Sequence, residues 1–165
     1  MTSHTIAERR PLRLDSIDAV QADVGRLVAA QHAGHLAAAG NWTAAQIFDH
    51  LARAIEYSYE GFPFQAAWPV RACCGLAKRL AWPSYLRWAY HPGHTLPARA
   101  AALLPDEWAD FDIAAMRYCA ALSRIAHGEP MTHPSPWEGK LSHRQWVDLH
   151  LCHAELHLSF LDETA

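Results

Sequence analysis

A chain of 165 residues, 51% hydrophobic and 19% charged, is long enough to bury a core without staples, which excludes a disordered segment. The formal charge of −3 gives no footprint for nucleic acid, and no run approaches the roughly 18 apolar residues of a membrane span. The first helical segment spans about Ser16 to Ala38, where Ile17, Val20, Val24, Leu27 and Val28 recur at helical spacing before Gly40-Asn41 breaks the pattern. The second opens at Thr43, an N-cap residue, and runs to Glu60, with Gly61 as terminator. Ile47, Leu51, Ala54, Ile55 and Ser58 mark its inner face.

Between about residues 62 and 105 the periodicity weakens. Prolines from Pro63 to Pro105 divide this aromatic-rich stretch, which reads as an irregular insertion over one end of the helices, with a short helix near Val70 to Leu80. Its aromatics either line a substrate cavity or form a small core of their own. A third helix runs from about Asp106 to Ala126 and stops at Gly128; "HPSPWEG" is a turn segment. The fourth opens at Ser142, with Gln145 completing a capping-box pattern, and continues to about Asp162. The expected fold class is all-α, a four-helix bundle in one domain over 1–165.

"MTSHTIAERRPLRL" lacks the apolar core of a secretory leader, so a cytoplasmic protein with neither a nucleic-acid nor a membrane partner is expected. Cys73, Cys74, Cys119 and Cys152 have no CxxC spacing and read as free thiols, Cys119 and Cys152 as core filler. His91 and His94 read as surface residues of the insertion.

The stretch "DLHLCHAELHLSF" carries the chemistry. At 100° per residue from Trp146, His150 falls near about 40°, His153 near about 340° and His157 near about 20°, a single stripe facing the bundle interior. His153 and His157 form H-x3-H, which sets two imidazoles one turn apart. His50, between Ile47 and Ala54 on the second helix, supplies a third inward imidazole. Three histidines with an open position suit Zn2+, Ni2+ or Fe2+ in a catalytic arrangement. A metal-free bundle with a hydrogen-bonded polar core is the bland alternative. Arg53 and Tyr57 follow His50 near the same face and could bind a substrate carboxylate or orient a ligand, though the better reading of Arg53 packs its stem at the edge and keeps its head in water. Asp49 and Glu155 are expected to point outward, and Asp148 has no specific claim to a role.

"NWTAAQIFDHLARAIEYSYEGFP" and "HPSPWEGKLSHRQWVDLHLCHAELHLSF" together resemble the DinB-like superfamily over about Asn41 to Phe160. The likeness is greatest to a branch with a tryptophan-led second helix, a His-Pro turn ending Gly-Lys-Leu-Ser, and a final H-x3-H helix. The resemblance implies an up-and-down four-helix bundle with one metal held by His50, His153 and His157. This chain departs from the pattern at Leu156, where a further histidine often stands, and at Ser159 or Phe160, where a glutamine does.

The functional expectation is a small metal-dependent enzyme, of hydrolase or thiol-dependent transferase type. Its substrate would be a small molecule, with a low-molecular-weight thiol as partner, and His150 the candidate catalytic proton carrier. The alternative is a non-catalytic metal-binding or stress-related module, a homodimer using Val147, Leu151 and Leu158 as a second apolar stripe.

Overall fold

The computed structural model describes residues 9–93 and 95–164. The leader-free reading of residues 1–8 and the surface reading of His94 fall outside these residues.

Ser16 accepts from the Ala19 N–H and starts α1, Ile17–His32, whose Val20, Val24 and Leu27 are fully buried. The expected extension to Ala38 does not form. Gly34 turns the chain at φ +76°, a region that favours glycine, and Leu36–Ala38 leaves as β1. At the other end the fourth helix stops at Leu158 instead of Asp162, and Leu161–Glu163 forms β2, antiparallel to β1. Arg10 braces this ribbon by donating to the carbonyls of Leu158 and Leu161 while pairing with Asp23 of α1.

α2, Ala44–Glu60, opens on a complete capping box between Thr43 and Gln46 and ends at Gly61, φ +99°. The third expected helix starts later than its sequence suggests. Asp106 is held in a turn by Asp49, and Asp110 caps α4, Phe111–Ala126. The last helix, His143–Leu158, has its own capping box between Ser142 and Gln145.

The insertion is far more helical than expected. It forms a 22-residue helix, Trp68–Ala89, labelled α3, followed by a 3-10 helix at Ala98–Leu103. Pro69 lies in the first turn, where its missing N–H costs nothing. Pro83 kinks the helix at Ala81, whose φ of −156° is non-helical. The helix His143–Leu158 is α5. α3 lies against it through buried Tyr85 and Leu86, with the Trp82 Nε1–H donating to Asp148 at 3.1 Å.

The result is an all-α bundle with one small ribbon. α4 and α5 each pack against both α1 and α2, so the face of α2 between them is enclosed. Phe48, Leu51, Tyr118, Leu122, Trp146 and Leu158 fill the interior, each such side chain contributing about 1.5–3 kcal/mol on burial. Of the second stripe envisaged for a partner, Leu158 is fully buried, while Val147 and Leu151 are partly buried and pack on the same core. Cys119 is exposed and Cys152 half-buried, so Cys119 does not fill the core. Asp49 is not outward either: only 3% exposed, it pairs with Arg53 and Arg117 and accepts from the Asp106 N–H.

Candidate metal centre

α2 presents His50 and α5 presents His153 and His157 towards one another, and one ligand nitrogen from each lies within 4.8 Å of the others. His50 and His153 are buried and His157 partly so. His50 Nδ1 lies 2.6 Å from the Leu103 carbonyl, an oxygen that can only accept, so the His50 proton sits on Nδ1. The lone pair of Nε2 therefore faces the cluster, 2.9 Å from His153 Nε2, which must donate in that contact. Leu103 belongs to the 3-10 helix, so the insertion orients a ligand-bearing ring on α2.

Burial holds all three rings neutral. Desolvation pushes His153 well down, aided by the other histidines. It does the same to His157, with His50 adding to it. His50 is also lowered by burial, although the Leu103 bond and Asp49 oppose the shift. A neutral imidazole is the form that binds a cation. Imidazole nitrogens bind ions such as Zn2+ at about 2.0–2.1 Å, so three donors within 4.8 Å of one another can share one ion after their rings rotate inward. The donor set fits a single divalent cation once the His153 proton moves from Nε2 to Nδ1, which frees the Nε2 lone pair.

Trp42 was not singled out by any sequence signal beyond its lead position, yet it stacks on His157 at 5.5 Å and 16° and lies 4.9 Å from His50. Tyr90, at the end of α3, approaches His153 at 5.2 Å. Both limit the rotation of the rings they touch.

A family model matches residues 6–164, spanning every helix described. The chain belongs to that family, described as "Protein of unknown function (DUF1569)". No curated protein and no solved structure matches it.

In this DUF1569 chain the histidines lie in the wall of a cavity of about 540 Å3, closed elsewhere chiefly by apolar side chains such as Leu149, Leu156 and Phe160. Leu156 and Phe160 are the positions where the resemblance leads one to expect polar groups, and they make that wall apolar. Of the insertion's aromatics, Phe62 and Tyr90 line the cavity, Tyr85 is core, and Trp68 stands in solvent, so neither role assigned to them as a group holds. His91 also reaches the cavity wall while remaining exposed.

His150 lines the cavity but stands apart from the triad. The Ser58 hydroxyl donates to the Ala54 carbonyl, so His150 Nε2–H donates to Ser58 Oγ at 2.9 Å. Complete burial pushes its pKa down to about 3. Trp146 stacks on it at 5.5 Å, and the Trp146 Nε1–H is buried with no acceptor among the described residues. Leaving such a donor unpaired costs on the order of 1–3 kcal/mol. Arg53 and Tyr57 are not brought to the cavity: the Arg53 guanidinium is engaged by Asp49, and Tyr57 packs on Phe62.

Proposed function

We propose that this DUF1569 chain belongs with the DinB-like superfamily and is a small metal-dependent enzyme, of hydrolase or thiol-dependent transferase type. The carrying observation is the convergence of three neutral imidazoles in the wall of an apolar cavity large enough for a small-molecule substrate. His50, His153 and His157 would hold one divalent cation, Zn2+, Ni2+ or Fe2+. Such a cation, when bound, supplies a Lewis acid that polarises a substrate or lowers the pKa of a coordinated thiol or water.

The chain's own residues define the rest. Leu103 fixes the His50 tautomer, and Trp42 and Tyr90 restrain the facing rings. The apolar wall excludes water and selects a largely apolar substrate. His150 is a weak proton acceptor at neutral pH because burial disfavours its charged form, and its Nε2–H is engaged by Ser58, so it serves the cavity wall as a structural group. A bound cation would lower the pKa of a thiol enough for it to enter as thiolate without a proton acceptor at His150, which favours a thiol as the attacking partner.

Metal analysis of tag-free protein tests the ligand set. One equivalent of a divalent metal is expected in the wild type and in His150→Gln, and a loss of most of it in His153→Ala. Full metal retention in His153→Ala would remove that residue from the site. Thiol conjugation and ester or amide hydrolysis, screened with and without chelator, then test catalysis; uniform inactivity of metal-loaded protein points to the non-catalytic module.

A further inference from the structure

The charge of the chain is unevenly placed. Between Glu60 and Asp106 the sequence contains no aspartate or glutamate, while it carries Arg71, Lys78, Arg79, Arg87 and Arg99. The formal −3 of the whole molecule therefore hides a purely cationic segment within an otherwise acidic chain. Four of those five cations, Arg71, Lys78, Arg79 and Arg87, lie on α3, Trp68–Ala89.

The outward face of α3 carries an apolar ridge beside exposed cations. Trp68, Ala72, Leu76 and Leu80 follow one another at intervals of four, the spacing of a continuous ridge on a helix. Trp68 is 78%, Leu76 58% and Leu80 76% exposed, so none of the three is used in folding. Scattered apolar residues are ordinary on a surface, but a ridge of this kind on one helix is not. Beside it lies a hollow of about 320 Å3 lined by Arg71, Ala72, Gly75, Leu76, Lys78 and Arg79. Among the described residues none of these three cations is in an ion pair. Lys78 donates only to the backbone carbonyls of Glu138 and Lys140, and Arg71 donates from Nη1 to Gln65 while its Nε–H is buried without a partner.

An exposed apolar ridge flanked by unpaired cations matches the two faces of a phospholipid interface, acyl boundary and anionic phosphate. An isolated hydrophobic patch would fit a protein partner as well, and an isolated cation cluster a free anion. Their combination on one helix, without a single acidic residue, favours the bilayer. We infer that α3 is a peripheral membrane-binding element that lies on anionic phospholipid, with Trp68, Leu76 and Leu80 entering the headgroup boundary and Arg71, Lys78 and Arg79 holding lipid phosphate. No helix among the described residues is long and apolar enough to cross a membrane, so the association is with one surface. At its C-terminal end α3 leads directly into Tyr90 and His91 of the cavity wall. The inference stands independently of any metal at the histidines.

Sedimentation with vesicles of phosphatidylcholine alone, or with about a third phosphatidylglycerol, is the test, using full-length protein as purified. The wild type is expected to bind the anionic vesicles, more weakly as salt rises, and not the neutral ones. The charge reversal Arg71→Glu with Arg79→Glu is expected to weaken binding roughly tenfold or more. Trp68→Ser with Leu80→Ser, at positions that carry no core packing, is expected to weaken it comparably with circular dichroism unchanged. Absence of binding, equal binding to both vesicles, or indifference to both double variants overturns the inference. So does a wild-type dimer that Trp68→Ser with Leu80→Ser converts to monomer, which makes the ridge a self-association face. Saturation by inorganic phosphate without vesicle binding likewise overturns it and reassigns the hollow to a free anion.

Discussion

His150 shows how burial alone sets the chemistry of a single residue. Its ring is sealed between Trp146 and Ser58, and its pKa falls to about 3 against an ordinary value near 6.5. Between those two values the unfolded chain takes up a proton that the folded chain refuses, so stability is full above about pH 6.5 and declines as pH falls. The slope is about 1.4 kcal/mol per pH unit for each such histidine. His50, His153 and His157 are shifted in the same direction and add to it in chelated protein. Denaturant midpoints taken from about pH 7.5 down to about pH 5 should therefore drop steeply below about pH 6.5. In His150→Gln the decline should be shallower by one histidine's contribution. A slope identical to the wild type would mean that His150 is charged in the folded protein.

At the scale of elements, the join between α2 and α4 depends on a carboxylate. Desolvation raises the Asp49 pKa, but the Asp106 N–H and the Arg53 and Arg117 guanidiniums outweigh it and hold the group ionised below its ordinary range. Asp49→Asn keeps the shape and removes the charge; urea denaturation at neutral pH should show a loss of about 2–3 kcal/mol, the worth of hydrogen bonds to a charged group. A loss under about 0.5 kcal/mol, the scale of an ordinary surface change, would place Asp49 among the incidental surface pairs. Asp49 also marks where sequence reading stops. Helical periodicity, caps and terminators made α1, α2, α4 and α5 legible, because those signals are local. Whether Asp49 faces in or out depends on Arg117, 68 residues away, and no local signal carries that. The prolines concealed the length of α3, of which only about Val70 to Leu80 was legible, since Pro69 is harmless at its start and Pro83 only bends it. Three-residue strands such as β1 and β2 are too short for alternation to register, and their pairing joins opposite ends of the chain. The three clustered histidines were legible for the opposite reason: two share one helix face, and the third stands on the inner face of another. Trp42, against His157, had no such periodicity to reveal it.

Over the whole molecule, the histidine cluster ties together parts of the chain that the bundle alone joins only by packing. His50 and His153 are 103 residues apart, and Leu103 of the insertion closes on His50 from a third direction. A ligand held by all three histidines would therefore join α2 to α5 and favour only the folded state, where the donors converge. Stabilisation by such a ligand follows mass action, about 2.7 kcal/mol at a free concentration 100 times its dissociation constant. For a chain of this size that corresponds to a rise in melting temperature of roughly 5–10 °C. Differential scanning fluorimetry of chelator-treated protein, titrated with Zn2+, Ni2+ and Fe2+ under reducing anaerobic conditions, should show that rise for at least one of the three. The rise should disappear in His50→Ala and His153→Ala and persist in His150→Gln. A melting temperature that no cation moves would leave the cluster as a hydrogen-bonded polar core. An equal rise in the ligand variants would place the binding elsewhere on the molecule, at its exposed cysteines or surface histidines.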